Sequence, residues 1–139
     1  MSYDLERFVT AQNSHQMYEH ALAELRAGHK TSHWMWFVFP QIAGLGRSAM
    51  ARTYAIANLA EAGAYLAHPV LGLRLVTAAE SVLTHRSRTA DQILGEVDAL
   101  KLRSSMTLFA HADAGQTVFR SVLDAFFDGE EDPATLERL

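Results

Sequence analysis

The sequence predicts an all-α protein, a compact single-domain bundle of about seven or eight short to medium helices spanning residues 1–139. Three observations carry that expectation. Apolar residues recur at helical spacing through most of the chain, and strand-like alternation is nearly absent, with β-branched residues scattered. Gly and Pro punctuation comes at short intervals, with no repeat, low-complexity tract or long linker. At 139 residues with 49% apolar and 20% charged side chains, the composition is that of one ordinary globular domain with one real core.

The elements follow in order. A short helix is expected across Leu5 to Ala11, then a longer one in "NSHQMYEHALAELRAG", where Met17, Ala21, Leu22 and Leu25 share a face. Asn13 or Ser14 stands where a cap belongs, and Gly28 where the helix stops. "WMWFVF" has strand-like aromatic content, but a lone strand has no ladder partner, so it reads as a short helix capped by Ser32 and ended by Pro40. Ser48 caps a helical stretch reaching His68-Pro69, broken near Asn58 or Gly63. Pro69 fits the first turn of the next helix, with Val70, Leu71, Leu75, Val76, Ala79 and Leu83 on one face. "TADQIL" gives a short helix before Gly95. "DALKLRSSMTLFAHA" carries Leu102, Met106 and Phe109 on one side, and "GQTVFRSVLDAFFDG" carries Val118, Val122, Leu123 and Phe126. "DPATLERL" closes the chain, with Asp132 as cap and Pro133 at the first helical position.

Charge and cysteine content narrow the function classes. A formal charge of −4, with Asp and Glu spread along the chain, lacks the basic footprint that a nucleic-acid polymer requires. The absence of cysteine excludes disulfides and thiolate chemistry. The start "MSYDLERF" is acidic where a signal peptide is basic, and the longest fully apolar run, "WMWFVF", is far too short to cross a membrane, so a cytoplasmic, non-membrane protein is expected.

The stretch "HWMWFVFPQIAGLGRS", residues 33 to 48, holds both tryptophans. On a helical wheel Trp34, Phe37 and Val38 fall together, while Trp36 and Phe39 point away. A turn that is apolar all round is either a central core helix or the wall of a cavity. As core it supplies large buried aromatics; as a wall it offers an indole for stacking on a planar ligand, with Gln41 a hydrogen-bond partner for an indole N–H. "GLGRS" then places Gly46, Arg47 and Ser48 before a helix start. It reads either as a flexible turn with a cap or as an anion site made of free N–H groups beside an arginine, and it is not a P-loop.

Further along, Lys101, Ser104, Ser105 and Leu108 form a second face of their helix, opposite its apolar stripe. Adjacent serines inside a helix need partners for their hydroxyls. That face is either a solvated or closely packed surface or a donor set for an anionic, hydroxyl-rich ligand. His29 and His33 are four apart, but "KTS" and Gly28 argue for a loop, and no carboxylate spacing completes a metal shell. His33, Glu19, Glu24 and Asp98 are acid/base candidates, with capping the plainer role for Asp98. The sequence calls for no metal and no cofactor.

"MYEHALAELRAGHKTSHWMWFVFPQIAGLGRS", "HPVLGLRL", "DALKLRSSMTLF" and "FFDGEEDPATLERL" together resemble, over nearly the whole chain, a small bacterial family of unknown function whose members often carry the automatic label calpastatin. The resemblance implies a compact, mainly helical single domain and no established activity. Calpain inhibition does not fit: such inhibitors are disordered chains, whereas this composition and periodicity describe a chain that packs by itself. "KLRSSMTLFAHADAGQTVFRSVLDAFF" also resembles, in its rhythm of Lys101, Met106, Phe109, Phe119 and Leu123, part of an N-glycosidase family acting on riboflavin intermediates and ADP-ribosylated bases. That similarity implies glycosidic cleavage, with His33, Glu19 or Asp98 moving the proton.

Three functions therefore stand as expectations. The first is a pocket for a phosphate-bearing, nucleotide-like small molecule, built from Trp34, Trp36, Gln41, Gly46, Arg47, Ser48, Lys101, Ser104 and Ser105. The second is the hydrolase just described. The third is a noncatalytic interaction module, whose protein partner the sequence does not name.

Overall fold

The computed structural model describes residues 3–139. Among these the chain forms ten α-helical segments and one 3-10 turn, all-helical as expected but divided more finely than the sequence suggested. Helix α1 (Glu6–Asn13) runs into the 3-10 turn Ser14–Gln16, then α2 (Met17–Ala27). Asn13 and Ser14 do not cap α2. The turn instead places His15 and Gln16 at positive φ, and α2 begins without a side-chain cap. Gly28, at φ +75°, ends α2 as expected.

The aromatic stretch makes a single turn, α3 (Met35–Val38), which gives out at Phe39 ahead of Pro40. Ser32 does not cap it, because the Ser32 hydroxyl is bonded to Glu24 instead. After Pro40 the chain forms an isolated parallel bridge, Ile56 N–H donating to Gln41 O at 2.9 Å and Ala43 N–H to Ile56 O at 2.8 Å. Between the bridged segments lies α4 (Ala49–Thr53), capped by Ser48, whose hydroxyl accepts from Ala51 N–H at 3.1 Å.

Why the helical run from Ser48 breaks is visible in Arg7. Its guanidinium donates to the freed carbonyls of Thr53 at 2.8 Å and Ala55 at 2.7 Å and pairs with buried Glu61 at 3.1 Å. Asn58 then caps α5 (Leu59–Ala67). The next helix, α6 (Leu71–Leu83), lies at 91° to α5. Pro69 sits in the turn just before α6 rather than in its first turn.

A Thr89–Gln92 capping box opens α7 (Ala90–Leu94), and Gly95 at φ +90° leads into α8 (Glu96–Ala112). Two further helices complete the chain: α9 (Val118–Phe127) and α10 (Pro133–Leu136), the latter capped by Asp132 with Pro133 at its first position.

Helix α8 is the centre of the bundle, packed by α5, α7, α9 and α10. Aromatic contacts thread the core from Phe8 to Tyr65 (5.1 Å between centroids), from Tyr65 to Phe109 (5.3 Å) and from Phe109 to Phe119 (5.8 Å), joining α1, α5, α8 and α9. Among the described residues no single helix is long and apolar enough to cross a membrane.

Candidate functional site

The loop after α2 is folded back by one carboxylate. Glu24 accepts from Thr31 N–H at 2.7 Å, Ser32 N–H at 3.0 Å, the Ser32 hydroxyl and the Trp34 indole at 3.0 Å. Burial raises its pKa, and these hydrogen bonds to the charged form outweigh burial and bring it down to about 2. Trp34 is completely buried. It is therefore core and not a stacking wall, and its indole N–H is satisfied by Glu24 rather than by Gln41.

Trp36, two residues on, lies on the opposite side of the same turn and is only partly buried. Its indole carries the Lys101 ammonium 5.1 Å from the ring centre. That ammonium lies 3.3 Å from Asp98, which also takes Lys30 at 2.8 Å, while Lys30 stands 5.2 Å from the Trp34 ring. Two lysines on two indoles, bridged by one aspartate, thus fix both rings against the N-terminal half of α8. Asp98 serves these ion pairs rather than a cap, since no side chain caps α8.

Trp36 walls a pocket of about 140 Å³. Ile42, Ala43, Ala51, Tyr54 and Ala55 complete its apolar lining, and Gln41, Gly44, Gly46 and Arg52 supply the rest. Across Gln41 and Gly46, which border both, a more open hollow of about 280 Å³ is lined by Leu45, Val97, Leu100, Lys101, Ser104, Asp132 and Ala134. The aromatic stretch, the glycine turn and the Lys101 end of α8 therefore meet on one face of the molecule.

The turn leaves donors open: the N–H groups of Gly44, Gly46 and Arg47 bond to no described residue. Gly44 has φ +99°, and the Arg138 guanidinium reaches to 2.8 Å from where a Cβ on Gly44 would stand. A Cβ on Gly46 would stand 2.5 Å from that of Ala51, so the turn and α4 touch with no room between them. Arg47 and Ser48 are exposed beside the rim. Because α4 has only five residues, its macrodipole is slight, and any anion attraction here belongs to the open N–H groups and the arginines.

Several expected residues do not join this face as ligands. The Ser104 hydroxyl lies 3.1 Å from Leu100 O and 3.0 Å from the Asp132 carboxylate, holding the cap of α10. Ser105 is fully buried, and its hydroxyl has no hydrogen-bond partner among the described residues. The segment leading into α10 closes over Ser104 and Thr107, so this part of α8 is closely packed, while Lys101 borders the open hollow. His33 and Glu19 are exposed and make no side-chain hydrogen bond or ion pair with the described residues. Nor does any group of three or more His, Asp or Glu among those residues stand close enough to hold a metal ion.

Sequence reading missed Lys30 and Arg52. A lysine in a "GHKTS" loop carries no sign of a partner nearly seventy positions away, and Arg52 was hidden in a helix expected to continue past it.

A family model described as "Protein of unknown function (DUF1810)" matches residues 2–139. A solved structure of a conserved hypothetical protein, Rv1873 from Mycobacterium tuberculosis, superposes with a TM-score of 0.95 at 47% identity, covering 99% of this chain and 96% of that one. A search of the curated proteins returns no match.

Proposed function

The chain belongs to the DUF1810 family of proteins of unknown function, and on that premise we propose that its working surface is the Trp36 pocket, where it binds a phosphate-bearing, nucleotide-like small molecule. The observation that carries this reading is the pairing of chemistries at one rim. An indole held in place by Lys101 faces an apolar pocket, while the glycine turn, with open N–H groups, and Arg52 border it, and Arg47 stands exposed next to Gly46 in the chain. Stacking takes the ring and the donors take the anion. In a protein of net charge −4, such a cationic rim is local and not a general basic surface.

The test is optical. Trp34 is sealed in the core and Trp36 lines the pocket, so a ligand seated there quenches the Trp36 share of the emission. Nucleoside monophosphates are expected to quench saturably in the wild type and to leave Trp36→Phe unaffected. Quenching that persists in Trp36→Phe, or none with any nucleotide, would refute the reading.

A further inference from the structure

The space that a side chain would take at Gly44 is filled from the far end of the sequence. With no Cβ at Gly44, the Arg138 guanidinium settles on the turn, its Nε 2.8 Å from where that atom would stand. We infer that Arg138 is a phosphate-binding residue of the Trp36 site, so that the segment after α10 completes the anionic end of that site; this rests on the proposal that the pocket binds a phosphate-bearing, nucleotide-like molecule. The hollow is open to solvent along the exposed glycine turn and Arg52. A phosphate attached to a ring beside Trp36 leaves the hollow on that side. Arg138 stands outside the apolar lining, on the turn that the phosphate then passes.

Arg138 is anchored without being neutralised. Its Nη1 donates to Ala134 O at 2.8 Å, which ties the side chain back to α10, and its guanidinium forms no ion pair with the described residues. Arg7, Arg103 and Arg120, by contrast, are matched by Glu61, Glu130 and Glu131. The Nε and Nη2 groups of Arg138 bond to no described residue, which leaves two donors in the fork geometry that suits a phosphate. Holding the side chain in place beforehand lowers the entropy cost of ordering it on a ligand. The N–H groups of Gly44 and Gly46 are open as well, so the turn beneath adds backbone donors to the fork.

The experiment titrates the wild type, Arg138→Ala and Arg138→Lys with uridine, cytidine, adenosine and guanosine 5′-monophosphates and with the same nucleosides lacking phosphate, following Trp36 quenching and, independently, heat of binding. Arg138→Ala is expected to weaken the tightest-binding nucleotide at least about tenfold, the worth of a hydrogen bond to a charged group, and to leave its nucleoside unchanged. Arg138→Lys, which keeps the charge and loses the fork, should recover part of the loss. Nucleotide affinity unchanged in Arg138→Ala would overturn the inference and leave nucleotide binding intact. Equal weakening of nucleotide and nucleoside would show that Arg138 only shapes the turn, and would overturn it too. No heat and no quenching with any nucleotide in the wild type at millimolar concentration would overturn both this inference and the reading beneath it.

Discussion

Replacing Glu24 by Gln keeps the shape of the side chain and removes the charge that four donors meet, turning an NH₂ group toward some of them. Glu24→Gln is expected to cost about 2 kcal/mol, since bonds to a charged acceptor exceed neutral ones, and urea unfolding at neutral pH measures it. The pH dependence follows from the same bonds. With its pKa lowered from 4.5 to about 2 in the folded protein, Glu24 contributes stability that is fully present above about pH 4.5 and lost as the pH falls toward 2. The gap between wild type and Glu24→Gln should therefore close across that window. The two tryptophans divide in the same way: Trp34→Phe, in the sealed core, should cost about 2 kcal/mol, and Trp36→Phe no more than about 1 kcal/mol. The helical wheel separated these two rings correctly, but it set Phe39 beside Trp36, and Phe39 is fully buried. The turn unwinds there, so a wheel no longer applies. Glu24 was legible only as a free carboxylate, because its partners lie in a loop whose course no periodicity encodes.

Among the helices, the corner between α5 and α6 depends on a glycine that looks unhelpful in sequence. A Cβ on Gly72 would stand 2.1 Å from Leu66 O, a backbone atom, so Gly72→Ala must open the corner and should destabilise by about 3 kcal/mol. Gly63, inside α5, meets nothing within 4 Å, and Gly63→Ala should stabilise by about 0.5–1 kcal/mol. Thermal melts of the two variants, moving in opposite directions, check both. Helix starts were legible where the cap acts within its own turn, as at Ser48 and Asp132. They were not legible at Asn13, Ser14 and Ser32, where a left-handed turn or a more distant carboxylate takes over. Gly72 gave no signal because its role is set by a carbonyl on another helix.

For the molecule as a whole, one core threaded by aromatics across α1, α5, α8 and α9 implies one unfolding event. Far-ultraviolet circular dichroism and tryptophan emission should give coincident transitions in urea, and separate midpoints would contradict a single core. Composition and periodicity made the class and the single core readable. They did not reveal that α8 lies at the centre, because Ser104, Ser105 and Thr107 make a polar run in the sequence, all three are buried, and Ser104 and Thr107 are bonded to the segment into α10. The pocket was half legible: residues 36 to 48 stood out as one unusual stretch, while Arg52, Tyr54 and Ala55 joined it only through the break that Arg7 stabilises. The contact between Gly46 and Ala51 carries a consequence for descent. Two positions share the room for one methyl group, so the order of change matters: a side chain at 46 forces the turn or α4 to shift unless 51 has first become glycine. Either substitution alters the cost of the other, so these two positions at the rim of the pocket are expected to change together in descent.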